Sequence, residues 1–210
     1  MSLTKTATLD LLSNQPGVFE AHLTTEYTSD ASSFAAFCAA RDWKFVSIEL
    51  PRGVMQQQPM TATYHQGVFA KVLGEVRAMG AELASAGFPV VRTKVEAVSA
   101  AHMPADPSAM GYFEYHLKLR LPNADATLAA MELAVAHGAH LSRNARRTLT
   151  DGSHERFVTL RVHHAGRREA DARFRALEAD LRALGVPLSH RLREFVVYDS
   201  NASVDDGWLP

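Results

Sequence analysis

The chain has 210 residues, 47% of them hydrophobic and 21% charged, and its formal net charge is -1. This profile is typical of a globular protein with one large domain or two small ones. The near-zero charge excludes a global attraction to nucleic acid or to an anionic membrane surface. No apolar run approaches the roughly 20 residues of a membrane span, and the start of the chain lacks the pattern of a secretory signal. We therefore expect no membrane partner and a cytoplasmic location.

The two halves of the sequence repeat each other. Residues 19–23 (FEAHL) recur as residues 113–117 (FEYHL), a separation of 94. Farther along, residues 61–96 align with residues 159–194 at a separation of 98. The change of four residues falls between predicted strands, where loops tolerate insertion. The pattern indicates an internal duplication.

The first copy predicts four strands and two helices. Alternation of polar and apolar residues indicates the strands, and apolar residues three and four positions apart indicate the helices. The second helix is predicted to end at Gly87, in the position after the last helical turn that glycine favours. In chain order the elements are a strand at 18–26, a helix from 29 or 30 to 42, strands at 44–50 and 59–65, a helix after 67, and a strand at 90–98.

The second copy predicts the same order of elements. Its strands are 112–121, 140–144, 156–163 and 189–199, and its helices are 123–137 and 166–184. The order β-α-β-β-α-β is that of the ferredoxin-like split unit, whose sheet has the strand order 4-1-3-2. The predicted fold class is therefore α+β, with two tandem ferredoxin-like βαββαβ units and antiparallel sheets with helices on one face. We expect an N-terminal extension (1–16), the two repeats (17–98 and 112–199), a linker (99–111) and a peripheral C-terminal tail (200–210).

Each sheet leaves one face uncovered by helices, and strand alternation predicts which side chains that face carries. On the third strand we expect Met60 and Ala62 to face the helices and Thr61 to face away from them. In the first copy the predicted open face carries Glu20, His22, His65, Arg92 and Glu96. In the second copy it carries Glu114, His116, His163, Glu194 and a basic residue at 191 or 193. The recurrence of the same residue types makes these the candidate ligand-binding residues.

The sequence leaves several interpretations of this polar face open. One is the ordinary solvated surface of an exposed sheet. A second is a groove that binds a small polar or anionic ligand, with His22 and His116 as candidate catalytic groups that Glu96 and Glu194 orient. A third is a divalent metal held by these same four residues. The competing class is a non-catalytic interaction module, in which the sheets form an internal interface or a homodimer.

Paired modules with His and Glu on facing sheets resemble the vicinal oxygen chelate enzymes. This resemblance implies metal ligands at His22, Glu96, His116 and Glu194. The module of that family is βαβββ with one helix, whereas each copy here has two predicted helices.

Two short motifs, His22-Leu23-Thr24 and His140-Leu141-Ser142, resemble those of the two-histidine phosphoesterases. The resemblance implies a hydrolase in which one histidine is the general base and the other the general acid. The two motifs are not equivalent in the duplication, because His22 aligns with His116.

Nucleic-acid binding is not expected of the open sheet. Recognition of RNA by such a sheet needs aromatic side chains on its first and third strands. Glu20, His22, Thr61 and Thr63 take those positions in the first copy. The basic loop at residues 143–147 (RNARR) is a separate candidate for holding a phosphate or carboxylate group.

Overall fold

The computed structural model describes residues 16–26, 31–107, 111–144 and 153–208, and of residues 143 and 144 only the backbone. Both copies fold as β-α-β-β-α-β, which confirms the predicted α+β class and the duplication. The first unit consists of β1 (Gly17–Thr25), α1 (Ala31–Ala39), β2 (Lys44–Glu49), β3 (Gln57–Gly67), α2 (Phe69–Ser85) and β4 (Val90–Ala97). The second consists of β5 (Tyr112–Leu121), α3 (Ala124–Ala136), β6 (Ala139–Asn144), β7 (His154–His163), α4 (Arg167–Ala183) and β8 (Leu188–Asp199).

The eight described strands close into one barrel in the order β1-β3-β2-β6-β7-β5-β8-β4. All neighbouring strands are antiparallel, and within each unit the order is 4-1-3-2 as expected. Two seams join the units, β2 with β6 and β4 with β8. Closure pairs the edge strands of both sheets, so the faces without helices become the interior of the barrel.

Each unit has its own hydrophobic core between its sheet and its helices. In the first unit Phe19, Ala21 and Leu23 of β1 pack with apolar residues of α1 and α2. The equivalent residues of β5 do the same in the second unit. Because side chains alternate along a strand, the even-numbered residues of β1 and β5 point into the barrel.

The long helices end where the sequence predicts. Gly87 follows α2 with φ 85°, and Gly185 follows α4 with φ 71°. Residues with a Cβ rarely adopt this left-handed conformation, so glycine favours the end of the helix there. No helix in the described ranges is both long enough and apolar enough to cross a membrane.

The C-terminal segment is not peripheral as expected. After β8, a short 3₁₀ helix (Ala202–Asp205) and the turn that follows it cover one end of the barrel. We call residues 202–208 the plug. Its Asp205 and Trp208 side chains are 1% and 5% exposed, and both line the barrel interior. The backbone N–H of Val54 donates to the carbonyl of Asp206, which ties the plug to the loop after β2.

Candidate ligand-binding site

The barrel encloses a cavity of about 210 Å³. Two of its lining residues, Lys44 and His190, are exposed, so the cavity reaches the surface at the end opposite the plug. Its apolar lining comes from Val46, Ile48, Leu50, Met60, Ala62, Phe157, Leu192 and Trp208. Its ionisable lining comes from Glu20, His22, Lys44, Arg92, Lys94, Glu96, Glu114, His116, Arg161, His190, Glu194 and Asp205. The cavity therefore has an apolar wall, mainly on β2, β3 and β7, and a charged wall, mainly on β1, β4, β5 and β8.

The first unit contributes a histidine held between carboxylates. The antiparallel register of β1 and β4 places Glu20 opposite Glu96. Nε2 of His22 lies 2.9 Å from Glu96 and 3.9 Å from Glu20. Burial alone would lower the pKa of His22, but the adjacent Glu96 carboxylate outweighs it and raises the pKa. Tyr64 completes this cluster by donating from its hydroxyl group to Glu20 at 2.8 Å.

The second unit repeats the arrangement with looser contacts. Glu114 lies opposite Glu194 in the pairing of β5 with β8. Nε2 of His116 lies 3.4 Å from Glu114 and 3.5 Å from Glu194, while Nδ1 hydrogen-bonds Thr159 at 2.9 Å. Although burial alone would lower the pKa of His116, the two carboxylates raise it to about 9.

Lys94 makes the two halves electrostatically unequal. Its ammonium group lies 2.8 Å from Glu96 and 2.6 Å from Glu114, so it joins the two units past β8, the strand between β4 and β5. The residue that takes the equivalent position beside Glu194 is Leu192, which carries no charge.

This inequality separates the pKa values of the twin carboxylates. Burial would raise the pKa of Glu96, but the charges of Lys94 and His22 lower it to about 2. Burial and the nearby Glu96 carboxylate raise the pKa of Glu194 to about 7, against the weaker opposing effects of His116 and of Lys94. At neutral pH, Glu96 is therefore ionised, whereas Glu194, at the equivalent position, is partly protonated.

A second charged cluster lies at the plugged end. The Asp205 carboxylate accepts hydrogen bonds from Arg92 at 2.7 Å and from Gln58 at 2.8 Å, and Arg161 lies 2.7 Å from it. Arg92 also forms an ion pair with Asp199 at 2.6 Å. Arg92 therefore lines the cavity, as the sequence predicts, but the carboxylates of β8 and the plug occupy its guanidinium group.

The structure brings seven of the nine predicted ligand-binding residues to the cavity: Glu20, His22, Arg92, Glu96, Glu114, His116 and Glu194. His65 lies on the opposite face of the sheet, where its Nδ1 is 2.9 Å from Glu75 of α2. His163 has the interior orientation but lies at the barrel end, exposed, with its ring 4.7 Å from that of Tyr112. Neither lines the cavity.

The predicted orientation of β3 is wrong. Met60 and Ala62 line the cavity, where the sequence reasoning placed Thr61 and His65. In the strand register Ala62 pairs with His22, just as Thr159 pairs with His116, so β3 and β7 correspond at a separation of 97 rather than 98. A shift of one residue reverses the face of every side chain in a strand.

Lys94, Arg161 and Asp205 line the cavity but were not among the candidate ligand-binding residues, although alternation predicts the first two on the open face. Alternation places Lys94 on the open face, but only the structure shows that its ammonium group bridges two carboxylates. Arg161 faces the cavity by the same alternation, and Asp205 lies in a tail with no strand pattern. The single sequence signal for the plug is Trp208, a large aromatic residue in a polar segment.

The metal interpretation is not supported by the donor geometry. Among the residues that the structure describes, no group of three or more His, Cys, Asp or Glu side chains is arranged to hold a metal ion. His22 and Glu96 pair with each other, and His116 lies near Glu194 in a separate cluster. Lys94 already supplies positive charge between the carboxylates, which is the electrostatic role that a divalent ion would take.

The phosphoesterase interpretation is also not supported. His140 lies next to the plug with its ring 5.3 Å from that of Trp208, and it does not line the cavity. Burial and the nearby Arg52 and Arg161 lower its pKa to about 4. His22 and His140 therefore do not form a pair around one phosphate. The side chains of the basic loop at 143–147 lie outside the described residues.

Fold and interior together define a single-chain α+β barrel that encloses a cavity with a charged wall. No protein-family profile and no curated protein matches the chain. The small subunit of acetolactate synthase from Thermotoga maritima shares 10% identity at a TM-score of 0.27, with 88% of this chain and 96% of that chain covered. A protein provisionally assigned as a chlorite dismutase shares 13% identity at a TM-score of 0.29, with coverages of 90% and 96%. An anthrone oxidase-like protein shares 11% identity at 0.28, with coverages of 91% and 96%. Scores this low support no inference about a ligand or an activity.

Proposed function

We propose that the barrel binds a small organic molecule that has an apolar body and a compact polar head. The single observation that carries this proposal is the divided lining of the cavity, apolar on one side and charged on the other. Ligand pockets are typically apolar with a few convergent polar groups that orient the ligand. A cavity of about 210 Å³ is smaller than the roughly 300–1,000 Å³ of pockets for drug-sized molecules, so it favours a smaller ligand.

The apolar wall supports the body of such a ligand. Val46 and Ile48 of β2, Met60 of β3 and Phe157 of β7 line it, and Leu192 lines the opposite side. Within the described residues, the cavity separates most of this apolar surface from the charged wall. Burial of apolar ligand surface against it is favourable by roughly 25 cal/mol per Å².

The charged wall supports the polar head. Oε1 of Glu194 and Nδ1 of His22 are buried, and neither has a hydrogen-bond partner among the described residues. A buried polar atom without a partner costs about 1–3 kcal/mol. The Glu96 carboxylate raises the pKa of His22 and so favours its protonated form, in which Nδ1 carries a hydrogen and acts as a donor. A ligand head with both a donor and an acceptor, such as a hydroxyl group, is suited to pair with both atoms.

The competing class, an interaction module, differs in its use of the sheets. Barrel closure already pairs the two sheets within one chain, so a homodimer of this protein would use the outer helices or loops. In that class the interior ion pairs are purely structural, and the cavity binds no small molecule. The two classes therefore predict opposite results in a binding experiment.

Binding of toluene and of p-cresol, followed by thermal shift and ligand-observed NMR, tests the proposal. These probes share the apolar ring, and only p-cresol carries a hydroxyl head. We expect p-cresol to bind more tightly than toluene, and Glu194→Gln to weaken p-cresol binding while toluene binding stays unchanged. Glu132→Gln, at an exposed site on α3, is the matched control and leaves both unchanged.

A cavity-filling substitution, Ile48→Phe, is expected to weaken the binding of both probes. If neither probe binds the wild-type protein, the proposed function is wrong. If both bind equally well and Glu194→Gln changes neither, the role assigned to the charged wall is wrong.

A further inference from the structure

We propose that Glu194 is a general base that removes a proton from the carbon next to the carbonyl group of a small apolar ketone bound in the cavity. This inference rests on the ligand-binding function proposed above and extends it from binding to a reaction. It assigns a catalytic role to Glu194 of the second unit and none to Glu96, the equivalent residue of the first unit.

The equivalent residues Glu96 and Glu194 differ in their contacts with charged groups. Lys94 lies 2.8 Å from Oε1 of Glu96 and His22 lies 2.9 Å from its Oε2, so each oxygen has a basic group at ion-pair distance. The Glu194 carboxylate has a single histidine neighbour, His116 at 3.5 Å, and its Oε1 has no hydrogen-bond partner in the described chain. It is 2% exposed and lines the cavity. Among the described residues no lysine or arginine lies within ion-pair distance of Glu194, and a buried carboxylate of this kind is suited to accept a proton from a ligand.

The protonation properties of Glu194 agree with this role. Burial and the Glu96 carboxylate raise its pKa to about 7, so a substantial fraction is ionised at neutral pH while its basicity is well above that of an ordinary carboxylate. A general base is most effective when its pKa lies near the working pH. With a pKa of about 2, Glu96 is fully ionised but a much weaker base.

His22 supplies the complementary group. Glu96 contacts Nε2 of His22 at 2.9 Å and favours the protonated ring, in which Nδ1–H is a donor; Nδ1 has no partner among the described residues. A donor aimed at the carbonyl oxygen stabilises the negative charge that develops there. Its side chain lines the same cavity as Glu194.

The reaction balances without an oxidant or a cofactor. The Glu194 carboxylate forms an O–H bond as the C–H bond beside the carbonyl breaks, and the electron pair moves to the carbonyl oxygen to give an enolate. His22 holds that oxygen by a hydrogen bond from Nδ1. Glu194 then returns a proton to the same carbon, or to a conjugated carbon in an unsaturated substrate. The first outcome is proton exchange with solvent, and the second is isomerisation of a double bond.

Hydrogen–deuterium exchange of β-tetralone in deuterium oxide tests the proposal. Proton NMR follows the loss of the signal of the CH₂ group between the ring and the carbonyl, and ligand-observed NMR measures binding in the same samples. We expect the wild-type protein to accelerate exchange about a hundredfold over buffer, the lower range of general base catalysis. The exchange rate rises with pH around a midpoint near 7, as Glu194 ionises.

The variants separate this proposal from the proposed function. Glu194→Gln, which keeps the size of the side chain, is expected to lower exchange to the buffer rate, whereas Glu132→Gln keeps the wild-type rate. Circular dichroism confirms that both variants are folded. If β-tetralone binds the wild-type protein but exchanges at the buffer rate, Glu194 is not a base and the binding function stands. Undiminished exchange in Glu194→Gln also overturns the assignment, and absence of binding overturns both proposals for this class of ligand.

Discussion

Replacing Lys94 by methionine removes a cation that contacts a buried carboxylate in each unit, Glu96 and Glu114. Methionine keeps the length of the side chain but cannot donate to Glu96 or Glu114. Both carboxylates remain buried, because their side chains are 1% and 3% exposed. The substitution therefore leaves two buried negative charges with fewer partners rather than returning them to water.

The expected cost follows from these contacts. Breaking a buried ion pair by removing one partner costs about 3–5 kcal/mol, because the remaining charge stays desolvated. His22 still contacts Glu96, and Arg161 still contacts Glu114, so we expect a loss near the lower limit, about 3 kcal/mol. A typical domain has about 5–15 kcal/mol of stability, so the variant remains folded but melts well below the wild type.

Denaturant unfolding at several pH values measures this loss. The pKa of Glu96 is lowered from 4.5 to about 2 in the folded protein, so its contribution to stability is present above pH 4.5 and disappears as the pH falls towards 2. Without Lys94 this pKa is closer to its ordinary value. The difference in the free energy of unfolding between the wild type and the variant is therefore largest at neutral pH, and it becomes smaller as the pH falls below 4.5.

Lys71→Met is the matched control. The Lys71 ammonium group lies 3.2 Å from Glu75, but their side chains are 63% and 39% exposed. An exposed pair of this kind contributes about 0.3–0.5 kcal/mol. Equal losses of unfolding free energy in the Lys94 and Lys71 variants would refute the electrostatic account of the barrel interior. A loss in the Lys94 variant that does not depend on pH would refute it as well.

Four further substitutions, used in three experiments, test other parts of the account. Leu192→Lys gives Glu194 the cation that its twin possesses, so NMR titration is expected to show a lower pKa for Glu194. Asp205→Asn removes the carboxylate that the two buried arginines share, and we expect denaturant unfolding to show a loss of about 3 kcal/mol. His65→Ala is expected to leave p-cresol binding unchanged, whereas His22→Ala weakens it, because His22 lines the cavity and His65 does not. An unchanged pKa of Glu194 in Leu192→Lys would contradict the first prediction. A loss of stability below about 1 kcal/mol in Asp205→Asn would contradict the second. Equal effects of His22→Ala and His65→Ala on p-cresol binding would contradict the third.

The elements of the fold were predictable because their signals are local. Alternation along residues 18–26 defines β1, and the apolar spacing before Gly87 defines α2. The duplication provides an internal comparison, so the recurrence of a His and Glu pair on two sheets was visible in one sequence. These signals also placed His22 and His116 on the same uncovered face that the structure turns into the barrel interior.

Barrel closure was not predictable in the same way. The β2–β6 seam consists of two backbone pairs, Ile48 with Asn144 and Glu49 with Arg143, and no sequence pattern specifies it. Closure also explains the apolar wall, which the sequence reasoning missed. Val46 and Ile48 face the cavity while Phe45 packs with the first core, so β2 is apolar on both faces.

The error on β3 has a simple physical origin. The strands β3 and β7 correspond at a separation of 97 residues, whereas the helices that follow them, α2 and α4, correspond at 98. Aligning both strands and helices at 98 therefore shifts the strands by one residue. Hydrophobicity could not correct it, since Met60 and Ala62 are as suited to a helix-covered core as to an apolar cavity wall. The inequality of Glu96 and Glu194 was likewise invisible, because it depends on an ammonium group of β4 that reaches past β8 to a carboxylate of β5.

The central claim is that two equivalent carboxylates inside one barrel have different protonation states. Titration of carbon-13-labelled glutamate side chains by NMR, with Glu96→Gln and Glu194→Gln used to assign the signals, tests it most directly. The account predicts midpoints of about 2 for Glu96 and about 7 for Glu194. Two similar midpoints near the ordinary value of 4.5 would contradict it.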